Sequence, residues 1–244
     1  LNILIHSLYK DKEVFLRELL SNASDALNRI HFEMLTNQNV LDPEVELNVR
    51  ITADKDERML TIQDTGIGMT KDEIIENLGT IAQSGARNFI EATKDKEMDI
   101  TQVIGQFGVG FYSVFMAAKW VRVTSRSYKP RAKAVSWYAT GEDNFEVSPA
   151  EMSERGTKIE IKLKEDAAEF AEEYRLNEVI KKHSDYIGFP IYVGENEEQV
   201  NKQTSLWRTA RNEITDEQYK DFYTQMTMEF EEPQHRIHAV TDAP

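Results

Sequence analysis

Glu18-Leu-Leu-Ser-Asn22-Ala-Ser-Asp25-Ala26 lies inside a helix-period segment covering residues 1–35. Glu18, Asn22 and Asp25 are spaced i, i+4, i+7, so at about 3.6 residues per turn they project from one side of a helix. Leu19, Leu20, Ala23 and Ala26 supply the apolar stripe that such a helix buries. Two carboxylates and an amide in one row beside that stripe make a candidate site. Taken alone, the row reads first as a solvated polar face. Two later stretches change that balance.

Upstream, residues 1–9 are apolar at helical spacing, and Lys10-Asp-Lys12 interrupts them. Downstream, 37–43 is a loop by composition. Residues 45–53 alternate apolar and polar, which predicts a half-buried strand. A polar turn (54–58) and a second strand (59–63) complete a hairpin. That strand runs straight into Asp64-Thr-Gly66-Ile-Gly68-Met69. A carboxylate at a strand end can accept hydrogen bonds from the amino group of a flat ligand, and the two glycines permit close approach and positive φ. A plain tight turn is the alternative. Thr70-Lys-Asp-Glu73 has the form of a capping box opening a helix through residue 78. Residues 79–99 are small, polar and helix-prone, with few large apolar side chains, and read as a mobile cover. Gly105-Gln-Phe-Gly108-Val-Gly110-Phe-Tyr-Ser113 then precedes an apolar helix through residue 118. Exposed N–H groups at a glycine-rich helix start form an anion site, or else the stretch is a hinge. There is no Gly-Lys dipeptide, hence no P-loop. Ser113 stands where a dinucleotide fingerprint needs its third glycine.

Strand patterns follow at 120–125, 134–140, 145–148 and 157–163, then helical ones at 166–173 and 176–187, and a short strand at 191–193. Residues 194–204 are polar and linker-like. Thr215-Asp-Glu-Gln218 opens a further helix to about residue 230, and 235–240 is strand-like. The organisation read from this is a first domain over 1–193, a linker over 194–204 and the beginning of a second domain over 205–244. Both ends read as cuts in a longer chain. Of the 244 residues, 40% are hydrophobic and 30% charged, enough for an ordinary core. The net charge of −14 opposes binding to nucleic acid or anionic membranes. The absence of cysteine excludes disulfides, thiolate metal sites and thiol catalysis, and suits a reducing compartment. No apolar run reaches the ~18 residues of a membrane span. His235 and His238 would face opposite sides of a strand, and no histidine pair reads as a metal site. Trp120 and Trp137 read as sheet packing, and the acidic run 165–173 as a solvated face.

The three stretches in this order resemble the GHKL ATPase superfamily, which includes gyrase B, MutL, histidine kinases and the heat-shock protein 90 chaperones. Ser21-Asn-Ala-Ser-Asp-Ala26, Asp64-Thr-Gly-Ile-Gly-Met69, Leu78-Gly-Thr-Ile-Ala-Gln-Ser-Gly85 and Ile104-Gly-Gln-Phe-Gly-Val-Gly-Phe-Tyr-Ser113 look like heat-shock protein 90 signatures. The likeness continues through Arg155-Gly-Thr157, Gly188-Phe-Pro-Ile-Tyr192 and Leu206-Trp-Arg208, so it covers nearly the whole chain. No long acidic insert separates the two domains, which favours the bacterial type over the eukaryotic cytosolic one. The expected fold class is α/β, an α+β two-layer sandwich of the GHKL (Bergerat) ATP-binding kind. It has a mixed, mostly antiparallel sheet with helices on one face.

The resemblance implies an ATP-dependent chaperone that binds ATP or ADP with Mg²⁺ and hydrolyses ATP slowly. By that resemblance Asp64 takes the adenine amino group, with Thr157 nearby through water, and Gly68 and Met69 line the base. Asn22 coordinates Mg²⁺ and Glu18 activates the attacking water. Asp25, Arg29 and Asn77 line the pocket. Residues 79–105 form a lid that carries Ser84, and the amides of Gly108, Val109, Gly110 and Phe111 cradle phosphate. The lid departs from the family pattern at Gln83, where a lysine is common. The family's catalytic arginine from its middle domain has no counterpart up to Pro244. Asn22-Ala-Ser is also a glycosylation sequon, read as coincidence because a glycan would destroy the proposed helix face. Partners implied are unfolded or partly folded client proteins, with no nucleic acid and no membrane. The full-length protein would be a cytoplasmic homodimer, and this piece mainly a monomer. A DNA-acting branch of the superfamily would want a basic surface. A nucleotide sensor would not need Glu18 as a base, and a scaffold would bind no nucleotide.

Overall fold

The computed structural model describes residues 11–79, 109–141, 144–206, 209, 211–227, 229, 231, 233 and 235–239. The expected helix over 1–9, most of the expected lid with Gln83 and Ser84, and Gly108 lie outside the described residues.

Helix α1 (Val14–Thr36) carries the opening stretch. It buries Phe15, Leu16, Leu19, Leu20, Ala23, Leu27 and Ile30, spaced at three and four, which is the stripe the sequence predicts. Glu13 precedes the helix, yet its side chain does not cap it. The carboxylate is buried instead against Arg175 (2.9 Å), Lys182 (2.5 Å) and His183 (2.8 Å). Hydrogen bonds from His183 and Lys182 outweigh burial and hold its pKa down at about 2.

The sheet has seven strands: β1 (Val49–Asp54), β2 (Met59–Asp64), β3 (Ala118–Arg126), β4 (Val135–Ala139), β5 (Phe145–Pro149), β6 (Gly156–Leu163) and β7 (Ile191–Val193). Their order is β5-β4-β3-β6-β2-β1-β7, and every neighbouring pair is antiparallel except β1 with β7. This is the expected mixed sheet. Register aligns the inward side chains in rows. Ile51, Ile62, Ile159, Val123 and Trp137 form one row across five strands, all buried. Helix α1 lies over that face. Helix α3 (Glu173–His183) and the 3₁₀ turn Glu165–Ala171 flank it, with Phe170 edge-on to Phe15 at 5.0 Å.

Several elements differ from expectation, each for a local reason. The first strand begins at Val49, not at residue 45. The Asn48 N–H goes to the Thr65 hydroxyl (3.0 Å), and that hydroxyl donates to the Glu46 carbonyl (2.7 Å), so a side chain takes the place of a ladder partner. The capping box at Thr70 and Glu73 is present in both directions. The helix it opens, α2 (Lys71–Ile74), widens after one turn into a π turn, Ile75–Gly79. The apolar segment after the glycine-rich loop is a 3₁₀ helix, Val109–Met116, in which Ser113 Oγ donates back to the Gly110 carbonyl at 2.6 Å. The segment expected as a helix from 166 is likewise 3₁₀. The last helix, α4 (Asp216–Thr227), ends earlier than expected, although Thr215 and Gln218 form its reciprocal cap. Residues 235–239 pair with no strand. His238 instead meets the Tyr219 hydroxyl at 2.6 Å, and Arg236 lies 4.1 Å above the Tyr219 ring. The polar segment 194–204 is anchored: Asn201 is buried and bonds Ile191 N, Ile187 O and Phe189 O.

Candidate nucleotide site

One row of the sheet interrupts the apolar inner face. Next to the Ile51–Trp137 row, register places Val49, Asp64, Thr157, Ser125 and Val135 side by side. Its three central members are polar and buried. Ser125 is the junction. Its hydroxyl donates to the Gly156 carbonyl (2.9 Å), receives the Met69 N–H (2.9 Å) and lies 3.0 Å from the Thr157 hydroxyl. A hydroxyl has one proton. With Ser125 donating to Gly156, Thr157 donates to Ser125 and keeps its lone pairs for the space above.

From this row the chain turns a corner under α1. Asp64 Oδ1 receives the Gly66 N–H at 2.8 Å, and the Ile67 N–H reaches the Ala26 carbonyl at 3.1 Å. A Cβ on Gly66 would stand 2.7 Å from that of Ala26. Gly68 has φ +61, and a Cβ there would overlap the Arg126 carbonyl oxygen. The two glycines of the Asp-x-Gly-x-Gly stretch therefore serve separate needs: close passage beneath the helix, and a left-handed turn against β3.

Above the row is a cavity of about 370 Å³. Of the residues singled out from sequence, Asn22, Asp25, Arg29, Asp64, Gly68, Met69, Asn77, Phe111 and Thr157 all line it. Ala23, Ala26, Ile62, Val123 and Ile159 add apolar walls. Glu18 stands one helical turn before Asn22, at the start of the 3₁₀ helix, where a Cβ on Gly110 would meet Glu18 Oε2 at 2.5 Å. Its other oxygen receives Arg17 at 2.7 and 3.2 Å. The backbone of Val109 begins that helix. Tyr112 closes it against the π turn through a hydroxyl bond to the Leu78 carbonyl. Glu76 also lines the cavity, and Ser125 and Arg155 stand beside it; sequence reading leaves these three without a role.

Burial pushes the Asp64 carboxyl up to about 7, against the opposing pull of the Gly66 and Thr157 N–H groups and the Arg155 charge. A buried carboxylate with a cavity over it is a strong acceptor for whatever donor fills that cavity. Among the described residues no cluster of three acidic or histidine side chains could hold a metal on its own.

Comparison with known proteins gives the family. Residues 9–168 match the model of the histidine kinase-, DNA gyrase B- and HSP90-like ATPase family, and residues 193–244 match the Hsp90 protein model. "Chaperone protein HtpG" of Nitratidesulfovibrio vulgaris is 47% identical over 250 residues, covering 100% of this chain and 39% of that protein. The HtpG of Desulfitobacterium hafniense is 46% identical over 248 residues (100% and 40%). That of Escherichia coli O1:K1 is 43% identical over 244 residues (96% and 39%). The chain thus spans 37 to 40% of the length of the relatives it matches. With well over half of its residues under the first model, the chain belongs to the histidine kinase-, DNA gyrase B- and HSP90-like ATPase family.

Proposed function

We propose that this chain binds ATP and ADP through the cavity over β2, β6 and β3, and that it is the nucleotide-driven part of an ATP-dependent chaperone. The observation that carries the reading is the polar row Asp64–Thr157–Ser125 under the cavity. Asp64 accepts from the adenine amino group. Guanine would bring a carbonyl to the same carboxylate, and two acceptors repel, so the row selects adenine. The Thr157 hydroxyl holds the edge of the base through water, and Ser125, its own bonds all taken, fixes that hydroxyl in place. Gly68 and Met69 give it a flat rim.

The phosphates then run along α1 toward the start of the 3₁₀ helix, where the amides of 109–111 face them. Asn22 and Asp25 sit on that path. Mg²⁺ prefers few protein oxygens and retains several waters, so the single amide oxygen of Asn22 beside phosphate suits it better than an acidic cage. When bound, the ion neutralises charge building up on the phosphate oxygens. Glu18 orients a water for in-line attack and accepts its proton, after leaving Arg17. Arg29, Asn77 and Ser84 complete the contacts around the base and the lid.

The domain division follows the same proposal: residues 1–193 bind nucleotide, 194–204 connect, and 205–244 begin the next domain. Client proteins are the partners, the whole protein acts as a cytoplasmic homodimer, and this piece is mainly monomeric. No described helix is long and apolar enough to cross a membrane. The test is calorimetric titration with ADP and Mg²⁺ of the wild type and Asp64→Asn. Saturable binding lost in the variant is expected, with Glu18→Ala retaining affinity while losing turnover. A folded wild type that takes up no ADP would overturn the reading.

A further inference from the structure

Arg155 is buried to 1% exposure beside the polar row, in the turn that enters β6. Its Nη1 donates to the Thr65 carbonyl at 2.9 Å, and its backbone N–H reaches Asp42 Oδ2 at 3.4 Å. Among the described residues, Nε and Nη2 have no hydrogen-bond partner. A buried guanidinium with two unpaired nitrogens is costly, and proteins seldom keep one without a use. Gly156 follows it directly and packs on the Asp64 backbone, where any Cβ would overlap the Asp64 carbonyl. Thr157 pairs with Asp64 in the ladder. Arg155 thus sits at the Asp64 strand end without lining the cavity.

Resting on the proposed adenine pocket, we infer that Arg155 is the positioning residue of that pocket: its buried charge keeps Asp64 an acceptor for the adenine amino group, and its bond to Thr65 fixes the strand end. The reason is the polarity of the hydrogen bond. An ionised Asp64 accepts from the amino group. A protonated one offers a donor to a donor. Burial drives Asp64 toward the protonated form, and beside the Gly66 and Thr157 N–H groups the Arg155 charge opposes this from the Thr65 end of the strand. Asp42 and Glu154 face Arg155 and share its charge. Asp25, Glu76 and Arg29 face Asp64 across the cavity from α1 and the π turn.

The test is the pH profile of ADP affinity, measured by calorimetry from about pH 6 to pH 9 on the folded chain. Arg155→Gln keeps a donor for the Thr65 carbonyl and removes the charge. Its affinity midpoint should move up by about one pH unit, giving a loss of roughly tenfold near neutrality that largely disappears at the alkaline end. Arg155→Lys should restore the wild-type midpoint. Asp42→Asn should move the midpoint the other way, because Arg155 then acts on Asp64 alone. The φ of +51 at residue 42 suits Asn, so this variant gives a result even where Arg155→Gln does not fold. ADP phosphate titration is common to all samples and cancels in the comparison. A pH-independent loss in Arg155→Gln, or an unmoved midpoint in Asp42→Asn, overturns the inference while leaving the adenine pocket intact. Loss of wild-type binding at every pH would instead sink the pocket.

Discussion

Ser125→Ala tests whether the polar row, and not Asp64 alone, holds the site together. Ser125 is fully buried, and three hydrogen bonds of 2.9 to 3.0 Å meet at its oxygen. Alanine fits the space but leaves the Gly156 carbonyl and the Met69 N–H without that partner. An unsatisfied buried group costs about 1–3 kcal/mol. Met69 is half-buried and recovers part of this through water, so the sum is roughly 2–4 kcal/mol. In urea, with a slope of about 2 kcal/mol per molar, the midpoint should fall by roughly 1–2 M. The Met69 bond also fixes the rim of the pocket. Re-forming that rim on binding should weaken ADP by about tenfold. Thr157→Val gives the comparison: Ser125 keeps its bonds to Gly156 and Met69, so the stability loss should stay below about 1 kcal/mol while ADP binding still weakens. The reasoning fails if Ser125→Ala unfolds within about 0.5 kcal/mol of wild type and binds ADP normally, or if Thr157→Val is the more destabilised of the two.

Gly68→Ala should distort the corner under α1, because residue 68 has φ +61 and its Cβ would overlap the Arg126 carbonyl; Gly188→Ala, with nothing within 4 Å, is the control. A loss of at least about 2 kcal/mol and of ADP binding is expected for the first and near-neutrality for the second, and equal thermal melts would refute the geometry. Glu13→Gln should cost roughly 2 kcal/mol at neutral pH, less than a fully buried pair because Lys182 is half-exposed. The folded-state pKa of about 2 lies below the ordinary glutamate value of 4.5, so the contribution is present above about 4.5 and fades as pH falls toward 2. Melts of wild type and variant should therefore converge in acid, and a constant gap from pH 7 to pH 2 would contradict the assignment.

How legible the site was in the sequence depended on the kind of signal each residue carries. Asn22, Asp25 and Glu18 share a helix face, and helical spacing shows that face directly. Asp64 ends a strand and precedes two glycines, which is a local mark. Ser125 has no such mark. It is one serine in an alternating strand, and its place beside Thr157 appears only once β3 and β6 are paired, a contact across 32 positions of chain. Arg155 resembles an ordinary turn residue until its guanidinium is seen beneath Thr65. The missed boundaries have a similar origin. Thr65 replaces the ladder for residues 46–48, Ser113 turns back on Gly110, and Asn201 ties down a segment whose composition reads as linker. In each case a side chain satisfies backbone groups that periodicity assigns to regular structure.

The location of the cavity follows from the same row. Elsewhere the inner face is aliphatic or aromatic and α1 presses large residues onto it: Phe15, Leu16, Leu19, Leu20 and Leu27 are all at most 1% exposed. Over the cavity the apolar side chains that the helix offers beyond Leu19 are the small Ala23 and Ala26, beside the polar Asn22, Asp25 and Arg29, and the backbone of 64–68 has already been drawn up against Ala26 by the Ile67 bond. Small residues above and polar residues below cannot close on each other without burying unpaired donors and acceptors. An apolar row there would pack shut, and a larger residue at position 26 would collide with Gly66. The space therefore persists because neither layer can fill it, and its floor asks for a ligand that donates toward Asp64. On this view Ala26→Leu should abolish binding by displacing the 64–68 corner even though it touches none of the polar groups. Ala26→Leu binding ADP at wild-type strength would show that the cavity has another cause.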